Sequence, residues 1–505
     1  MWFDPINNMI SWNMRNRFDR IRNFMEKGPE TQEKILFGLL GKAAGTQWGR
    51  KFGFKDIRTY EDFRNQVPLQ NYESLSPFIE EVRQGKQNLL WPTRIKWFAK
   101  SSGTTGSKSK FIPVSQEALE DCHFRGGRDM LSLYCQKNPD TKLFSGLSLR
   151  LGGSTTFNSK NHETYYGDLS ALLIENLPFW VEMRSTPSQS VALMDEWETK
   201  IEKITQQAIK QNVTGMLGVP SWMLVLCQNV LKTTGAKNLL EVWPNLELYT
   251  HGGVSFLPYE EQFREMIPGD QVTYLETYNA SEGFFGIQDS FPSLGLLLML
   301  DYGIFYEFIP MDQYNGLDSQ AIPLWEVEEG KSYAMVITTN SGLWRYIIGD
   351  TVKFTSVAPY RIAITGRTKL FINAFGEEVV IDNAEKAMKM ACDVTGAEVM
   401  EFTAAPVYMQ GSESGAHEWM IEFSKMPDDL AVFKKTLDES LQSINSDYEA
   451  KRHKNMALKE PIIHVARNQL FYSWLKNNGK LGGQHKIPRL SNDRTYVEEL
   501  LALNQ

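Results

Sequence analysis

Four short segments gather hydroxyls, glycines, lysines and carboxylates in patterns that suit a ligand made of phosphates, sugar hydroxyls and a flat ring. "SSGTTGSKSK" at 101–110 holds two glycines, two lysines and six serines or threonines, and no apolar side chain. Only two residues separate Gly103 from Gly106, so the spacing of a nucleotide P-loop is not met. Two readings stay open. One is a plain linker; the other is a hairpin-like loop whose backbone N–H groups, hydroxyls and Lys108 or Lys110 surround an anion. "TYNASEG" at 277–283 closes a strand-like run with an aromatic, a small-residue turn and Glu282. "THGGVSFLPYEEQF" at 250–263 sets Gly252 and Gly253 between a strand and a helix, and "LWRYIIGD" at 343–350 ends a strand just before Asp350. An aromatic platform with backbone edges, a carboxylate for hydroxyls and a second carboxylate for a metal are what a nucleoside triphosphate with magnesium requires. Singly, each has an ordinary reading: Asp350 could cap a turn, Glu282 could be a solvated loop acid, and the glycine pair could serve a tight turn.

The elements that would position them follow from periodicity. "IKWFAK" and "FIPVS" flank the polar loop and read as strands. Up to about residue 240, helical patterns alternate with short strands, as in an α/β layer protein. From 270 to 365 strands dominate, with the turn "TNSG" at 339–342 joining two of them into a hairpin. The pattern changes at "TGRTKLF", 365–371. Beyond it the sequence predicts a hairpin, a long helix carrying Leu430, Phe433, Leu437, Leu441, Ile444 and Tyr448 on one side, a strand "PIIHVA" and a glycine-rich loop. This predicts two domains, 1–365 and 366–505, with the boundary at 365–370.

Bulk properties narrow the class. The 505 residues are 42% hydrophobic and 12% aromatic, which fits a globular chain, and the net charge of −8 speaks against a nucleic-acid binder. The basic run "KRHK" at 451–454 reads as a solvated face of a helix. Cys122, Cys135, Cys227 and Cys392 form no CxxC pair and fit a reducing cytoplasm, and no HExxH occurs. Ile10, Met14, Phe18, Ile21 and Met25 form one helical stripe ended by Gly28-Pro29, read as a docking helix, not a secretion signal or a membrane-surface helix. "LGLLLML" at 294–300 is too short to cross a bilayer and reads as a buried strand.

In "SSGTTGSKSKFIP", "YNASE" at 278–282 and "YIIGD" at 346–350, taken in series, the chain resembles the adenylate-forming superfamily. More closely, it resembles the acyl-acid–amido synthetases, the family of the plant auxin- and jasmonate-conjugating enzymes. The flanking "YEDFRNQVPLQNYESLSPFIE", "GIFYEFIP" and "GGQHKIPRL" extend the resemblance over most of the chain. Ala280 replaces a serine of the second motif and Ile347 the arginine of the third. The resemblance implies a large N-terminal α/β adenylation domain with helix-flanked sheets and a small, mobile C-terminal α+β lid, with ATP and Mg2+ as cofactors. Ser101, Ser102, Gly103, Thr104 and Thr105 would cradle the phosphates, with Lys110 at the family's lysine. Gly253 and Val254 would line the adenine, and Tyr278 would stack on it. Ser281 would lie by the α-phosphate, Glu282 would serve magnesium, and Asp350 would hold the ribose hydroxyls. Lys369 would occupy the hinge position and Lys486 would be the mobile catalytic lysine, with Lys480 second.

The implied reaction is the adenylation of a carboxylic acid followed by attack of an amine such as an amino acid. Transfer to AMP removes the carboxylate's charge and replaces oxide with a good leaving group, so no covalent enzyme nucleophile is required. His123, His162 and His251 are candidates for the base that deprotonates the amine, each with an ordinary structural reading beside it. An acyl-coenzyme A ligase shares the first half-reaction, and a nucleotide-binding sensor without turnover is the rival of another class. No nucleic-acid or membrane partner is implied.

Overall fold

The computed structural model describes residues 5–102, 109–153, 164–194, 196–368, 371–411, 413–455, 457–478 and 487–504. It opens on three helices, α1 (Pro5–Asn16), α2 (Phe18–Glu26) and α3 (Gly28–Ala43). Of the predicted stripe, Met14 and Ile21 are buried and Ile10, Phe18 and Met25 pack half-buried against the core, while Phe24, outside the stripe, is also buried. The stripe is split at Arg17, however, and Gly28-Pro29 opens α3. Proline in a first turn lacks only an N–H that would have no partner there.

The strands expected around the polar loop are β1 (Trp97–Ser102) and β2 (Ser109–Val114), paired antiparallel. Then follow α4 (Phe124–Lys137), β3 (Leu147–Arg150), β4 (Tyr165–Asp168), β5 (Ser185–Thr186), β6 (Val213–Leu217), α5 (Pro220–Thr234) and β7 (Leu248–Gly252). The strand-rich stretch comprises β8 (Thr273–Ala280), β9 (Gly283–Gln288), β10 (Leu296–Leu298), β11 (Ile304–Pro310) and β12 (Ile322–Pro323). It ends with β13 (Ser332–Thr339), β14 (Tyr346–Val357) and β15 (Tyr360–Arg367). Among the described residues these build a twelve-stranded sheet, β12-β11-β13-β14-β15-β10-β9-β8-β7-β6-β3-β5, beside a three-stranded sheet β2-β1-β4. β8, β7, β6, β3 and β5 pair in parallel, and the other half is antiparallel. Parallel strands carry their ligands at their carboxyl ends, where β7 and β8 deliver Gly252 and Ala280.

The carboxyl-terminal unit begins after β15 with a two-stranded ladder, β16 (Phe371–Ile372) and β17 (Val379–Val380). It continues through α6 (Ile381–Thr395), β18 (Glu398–Val407), β19 (Ala416–Lys425), α7 (Leu430–Ile444), α8 (Ser446–Arg452), β20 (Ile462–Val465), α9 (Leu470–Asn477) and α10 (Thr495–Leu503). β18, β19 and β20 form one sheet, with the predicted hairpin in place. The long helix stops earlier than its stripe suggested. Asn445 leaves the helical region and its side chain accepts the N–H groups of Asp447 and Tyr448, so Tyr448 belongs to α8.

"KRHK" is not a solvated face. Arg452 is buried against Asp438, with Nη2 2.6 Å from Oδ2, and the Lys451 ammonium lies 4.5 Å from the Trp222 ring of α5. His453 and Lys454 are exposed, and the Lys454 ammonium lies 2.5 Å from Glu198 of the other unit. The two units also share one apolar core, in which Tyr249, Tyr259 and Phe263 pack with Phe375, Phe402 and Trp419.

Candidate active site

The segments singled out by residue type converge on one cleft of about 2030 Å³ between the strand ends and the carboxyl-terminal unit. Ser101, Lys110, Gly253, Val254, Tyr278, Ser281, Glu282 and Asp350 all line it. Ser101 and Lys110 stand opposite each other in the β1–β2 register. Gly103, Thr104, Thr105 and Lys108 of the loop between them, the side chain of Ser102, and Lys369, Lys480, Lys486 and His162 lie outside the described residues.

Backbone geometry explains the glycine pair. A Cβ on Gly252 would sit 2.3 Å from the Thr277 carbonyl oxygen of the neighbouring strand, and Gly253 has φ +82°. Chain and strand can approach this closely only without a side chain.

Asp350 is the best-held carboxylate of the site. It accepts a hydrogen bond from the Tyr278 hydroxyl, and Arg367 Nε lies 3.0 Å from its other oxygen. Arg367 reaches onward to Glu378, with Nη2 2.9 Å from Oε1. Burial opposes the Arg367 charge, but Glu378, Asp350 and Glu282 together hold its pKa above the ordinary value. The Tyr278 ring packs against Phe285 at 4.9 Å.

Glu282 and Lys110 form the second charged group. Burial pushes the Glu282 carboxyl up to about 7, opposed by Lys110 and reinforced by Asp350. Lys110 is 8% exposed, and burial lowers its pKa against the pull of Glu282. A cation and a carboxylate left in a wall that desolvates both are in place for a charged ligand.

The third motif's missing arginine has a structural counterpart. Ile347 packs with Leu69, Ile309, Ala334 and Val336, while the cation that reaches Asp350 is Arg367, from the facing strand. Nothing in the sequence marks Arg367 as a site residue, although it lies within "TGRTKLF". β14 and β15 do place it opposite Asp350, but two register irregularities between them prevent counting back from the turn.

Of the candidate histidines, His123 and His251 are in the cleft wall but poorly suited to proton transfer at neutral pH. His123 Nδ1 lies 3.2 Å from Asn279 Oδ1, and burial drops its pKa to about 4. His251 stacks on Phe256 at 4.1 Å, and burial drops it to about 3.

A further charged set was not anticipated. The carboxyl-terminal unit closes one side of the cleft with α8, which contributes Asp447 and Lys451 facing Lys100 of β1 and Asp168 of β4. The Asn445 side chain donates to the carbonyls of Glu377 and Glu378 at 3.0 and 3.1 Å, tying α8 to the turn whose Glu378 pairs with Arg367. Gly376 of that turn has φ +88°, and a Cβ there would meet the Lys451 Cε at 3.3 Å. The residues after Lys486 take another course. Ile487 is buried with Met420, Leu470, Phe471 and Trp474, and of the described residues 487–504 only Asn492 lines the cleft.

Comparison with known proteins agrees with this architecture. The models of the GH3 family N-terminal, central and C-terminal domains match residues 17–272, 297–367 and 382–495. The chain is 22% identical to an indole-3-acetic acid-amido synthetase of Arabidopsis thaliana, over 93% of this chain and 90% of the relative. It is 25% identical to a jasmonoyl–L-amino acid synthetase of Nicotiana attenuata, over 91% and 90%. It is 23% identical to a 4-substituted benzoates-glutamate ligase of Arabidopsis thaliana, over 91% and 92%. Among solved structures, an acyl acid amido synthetase in complex with 2,4-DB superposes with a TM-score of 0.60 at 18% identity, covering 99% of this chain and 97% of that one. A 2-hydroxyisobutyryl-CoA ligase in complex with its acyl-adenylate and CoA gives 0.58 at 12% identity, covering 95% and 94%. The fold is that of the adenylate-forming enzymes.

Proposed function

The chain belongs to the GH3 family, and on that premise we propose that it is an ATP-dependent amido synthetase that adenylates a carboxylic acid and passes the acyl group to an amine, an amino acid above all. The observation that carries the reading is the Tyr278–Asp350–Arg367 arrangement beside Glu282 and Lys110 in a single cleft.

Asp350, fixed by two partners, offers its remaining acceptor capacity to the ribose diol, and Tyr278 with Gly253 and Val254 bounds the adenine. Ser101 and Ser102, Gly103, Thr104 and Thr105 of the polar loop, Ser281 and Lys110 surround the phosphates, where fixed donors and a desolvated cation stabilise charge developing at the α-phosphorus. The carboxylate oxygen attacks that phosphorus in line and pyrophosphate leaves. The amine nitrogen then attacks the acyl carbon, and AMP departs with the electron pair of the broken C–O bond.

Magnesium suits the donor set. The described residues gather no cluster of three or more metal-ligating side chains, and Glu282 is a single carboxylate in the cleft wall with Lys110, which suits an ion held by one carboxylate together with substrate phosphates. When bound it would neutralise phosphate charge. Among the described residues no helix is long and apolar enough to cross a membrane. A cytoplasmic setting is our reading from the unpaired cysteines. The division at 365–370 into an adenylation domain and a lid, with Lys369 at the hinge, is part of the same proposal.

The test is acid-dependent exchange of pyrophosphate into ATP across a panel of carboxylic acids, then mass spectrometry with mixed amino acids and, separately, coenzyme A. Amide plus AMP is expected. A thioester without amide would place the chain with the coenzyme A ligases.

A further inference from the structure

We propose that Asp447, on helix α8 of the carboxyl-terminal unit, is the group that receives the proton of the attacking amine in the second half-reaction. The inference rests on the amide-forming reading above.

Asp447 lines the cleft, and its backbone is held by the Asn445 side chain at 2.9 Å. Among the described residues no hydrogen bond or ion pair engages its carboxylate. Lys451, one helical turn on, is drawn instead over Trp222. Every element packed here contributes a charge that acts on Asp447: Glu378 from the turn before β17, Lys451 from α8, Asp168 from β4 and Lys100 from β1. A carboxylate with free acceptor capacity in a substrate cleft, with the acids Glu378 and Asp168 balancing the two lysines around it, is suited to hold an ammonium and take its proton. Burial, with Glu378 beside it, pushes this carboxyl up to about 7, so a useful fraction of it is ionised at neutral pH while it remains a competent base. His123 and His251 are far weaker bases.

Asp447 Oδ accepts one proton from the ammonium, and the freed nitrogen pair forms the C–N bond. The acyl C–O bond to phosphate breaks with its electrons leaving on AMP, and the second nitrogen proton passes to the AMP phosphate. Because α8 belongs to the carboxyl-terminal unit, the base is present only when that unit is seated on the cleft, as it is here.

The experiment compares amide formation from supplied acyl-adenylate, using an amino acid and using hydroxylamine, which is already neutral at pH 7 and needs no base. Asp447→Asn should slow the amino acid reaction about a hundredfold, leave the hydroxylamine reaction within about threefold, and remove the acidic limb near pH 7 from the wild-type profile. Asp447→Glu should restore part of the rate. Folding is checked by melting at pH 8. The folded state keeps this proton up to about pH 7, whereas an aspartate in the unfolded chain gives it up near 3.8, so this group's contribution to stability falls as pH rises between those values and is gone by pH 8, where the Asn variant should melt no lower. Equal losses with both nucleophiles, or no loss with either, would overturn the inference. Wild-type protein that forms no amide with either nucleophile would overturn the amide-forming reading itself, and the inference with it.

Discussion

Asp350 and Arg367 stand opposite each other in the β14–β15 register, and their side chains close an ion pair at 3.0 Å. The Tyr278 hydroxyl occupies the other carboxylate oxygen, and Glu378 takes the far end of the guanidinium. The sheet therefore fixes the carboxylate proposed for ribose, and the carboxyl-terminal unit, through Glu378, shares the cation that fixes it.

Arg367→Met should break this link on both sides. Removing one partner of a buried pair leaves uncompensated carboxylates and costs about 3 kcal/mol, and Asp350 would lose its orientation. Exchange assays at varied ATP are expected to show KM for ATP raised at least about tenfold, in line with a lost charged contact. Urea unfolding should show a lowered midpoint. A normal KM with lowered stability would make Arg367 structural only.

Glu282→Gln addresses the other carboxylate. If it acts on the phosphates through magnesium, acid-dependent pyrophosphate exchange should fall by at least about a hundredfold, the size of one strong transition-state contact. Stability should be kept or raised, because burial already works against the charge of Glu282. Wild-type exchange in this variant would remove Glu282 from the site.

Glu307→Ala should separate stability from catalysis. Arg345, in the same "LWRYIIGD" segment as Asp350, has φ +43° and is 3% exposed. It donates to both Glu307 oxygens at 3.0 and 2.8 Å and to the carbonyls of Arg64 and Val67 at 2.9 and 2.7 Å. Stranding this arginine should cost about 3–5 kcal/mol, read as a lower denaturant midpoint. The KM for ATP of the remaining folded enzyme should stay within about twofold, since none of these groups lines the cleft.

Much of the site was legible because its residue types are unusual where they stand. Glu282 follows a strand that buries apolar side chains, and Gly252-Gly253 interrupts a strand-to-helix step; Asp350, expected just after a strand, stands inside β14, which runs on to Val357. What stayed hidden depends on tertiary placement. Arg367 meets Asp350 only through a ladder with two irregularities. Asp447 and Lys451 lie on a short polar helix that reads as surface, and it becomes a cleft wall only once the second unit docks through Phe375 and its neighbours. The amino-terminal stripe showed which side chains are buried but not where one helix ends, because Gly28-Pro29 opens a helix as readily as it stops one.

Lys486 gives the sharpest division between the two half-reactions. In the first, negative charge gathers where the carboxylate, α-phosphate and departing pyrophosphate meet, so a lysine carried in on a small unit lowers the barrier. In the second, an amine must approach the same place and that cation would obstruct it, so rotation of the unit resolves the conflict. Here the chain just after Lys486 is fastened to the carboxyl-terminal sheet, with Thr403 Oγ1 donating to the Pro488 carbonyl at 2.6 Å and the Ala404 N–H to that of Arg489 at 2.9 Å. The face closing the cleft is instead α8, which carries the proposed base of the second step. Lys486→Ala should thus lose adenylation by about 3 kcal/mol while still converting supplied acyl-adenylate to amide, and Asp447→Asn should do the reverse. Rapid-quench measurement of each half-reaction on the purified variants decides it. If both steps fall together in the Lys486 variant, or neither falls, the mobile lysine is another residue, and Lys480 is the next to change.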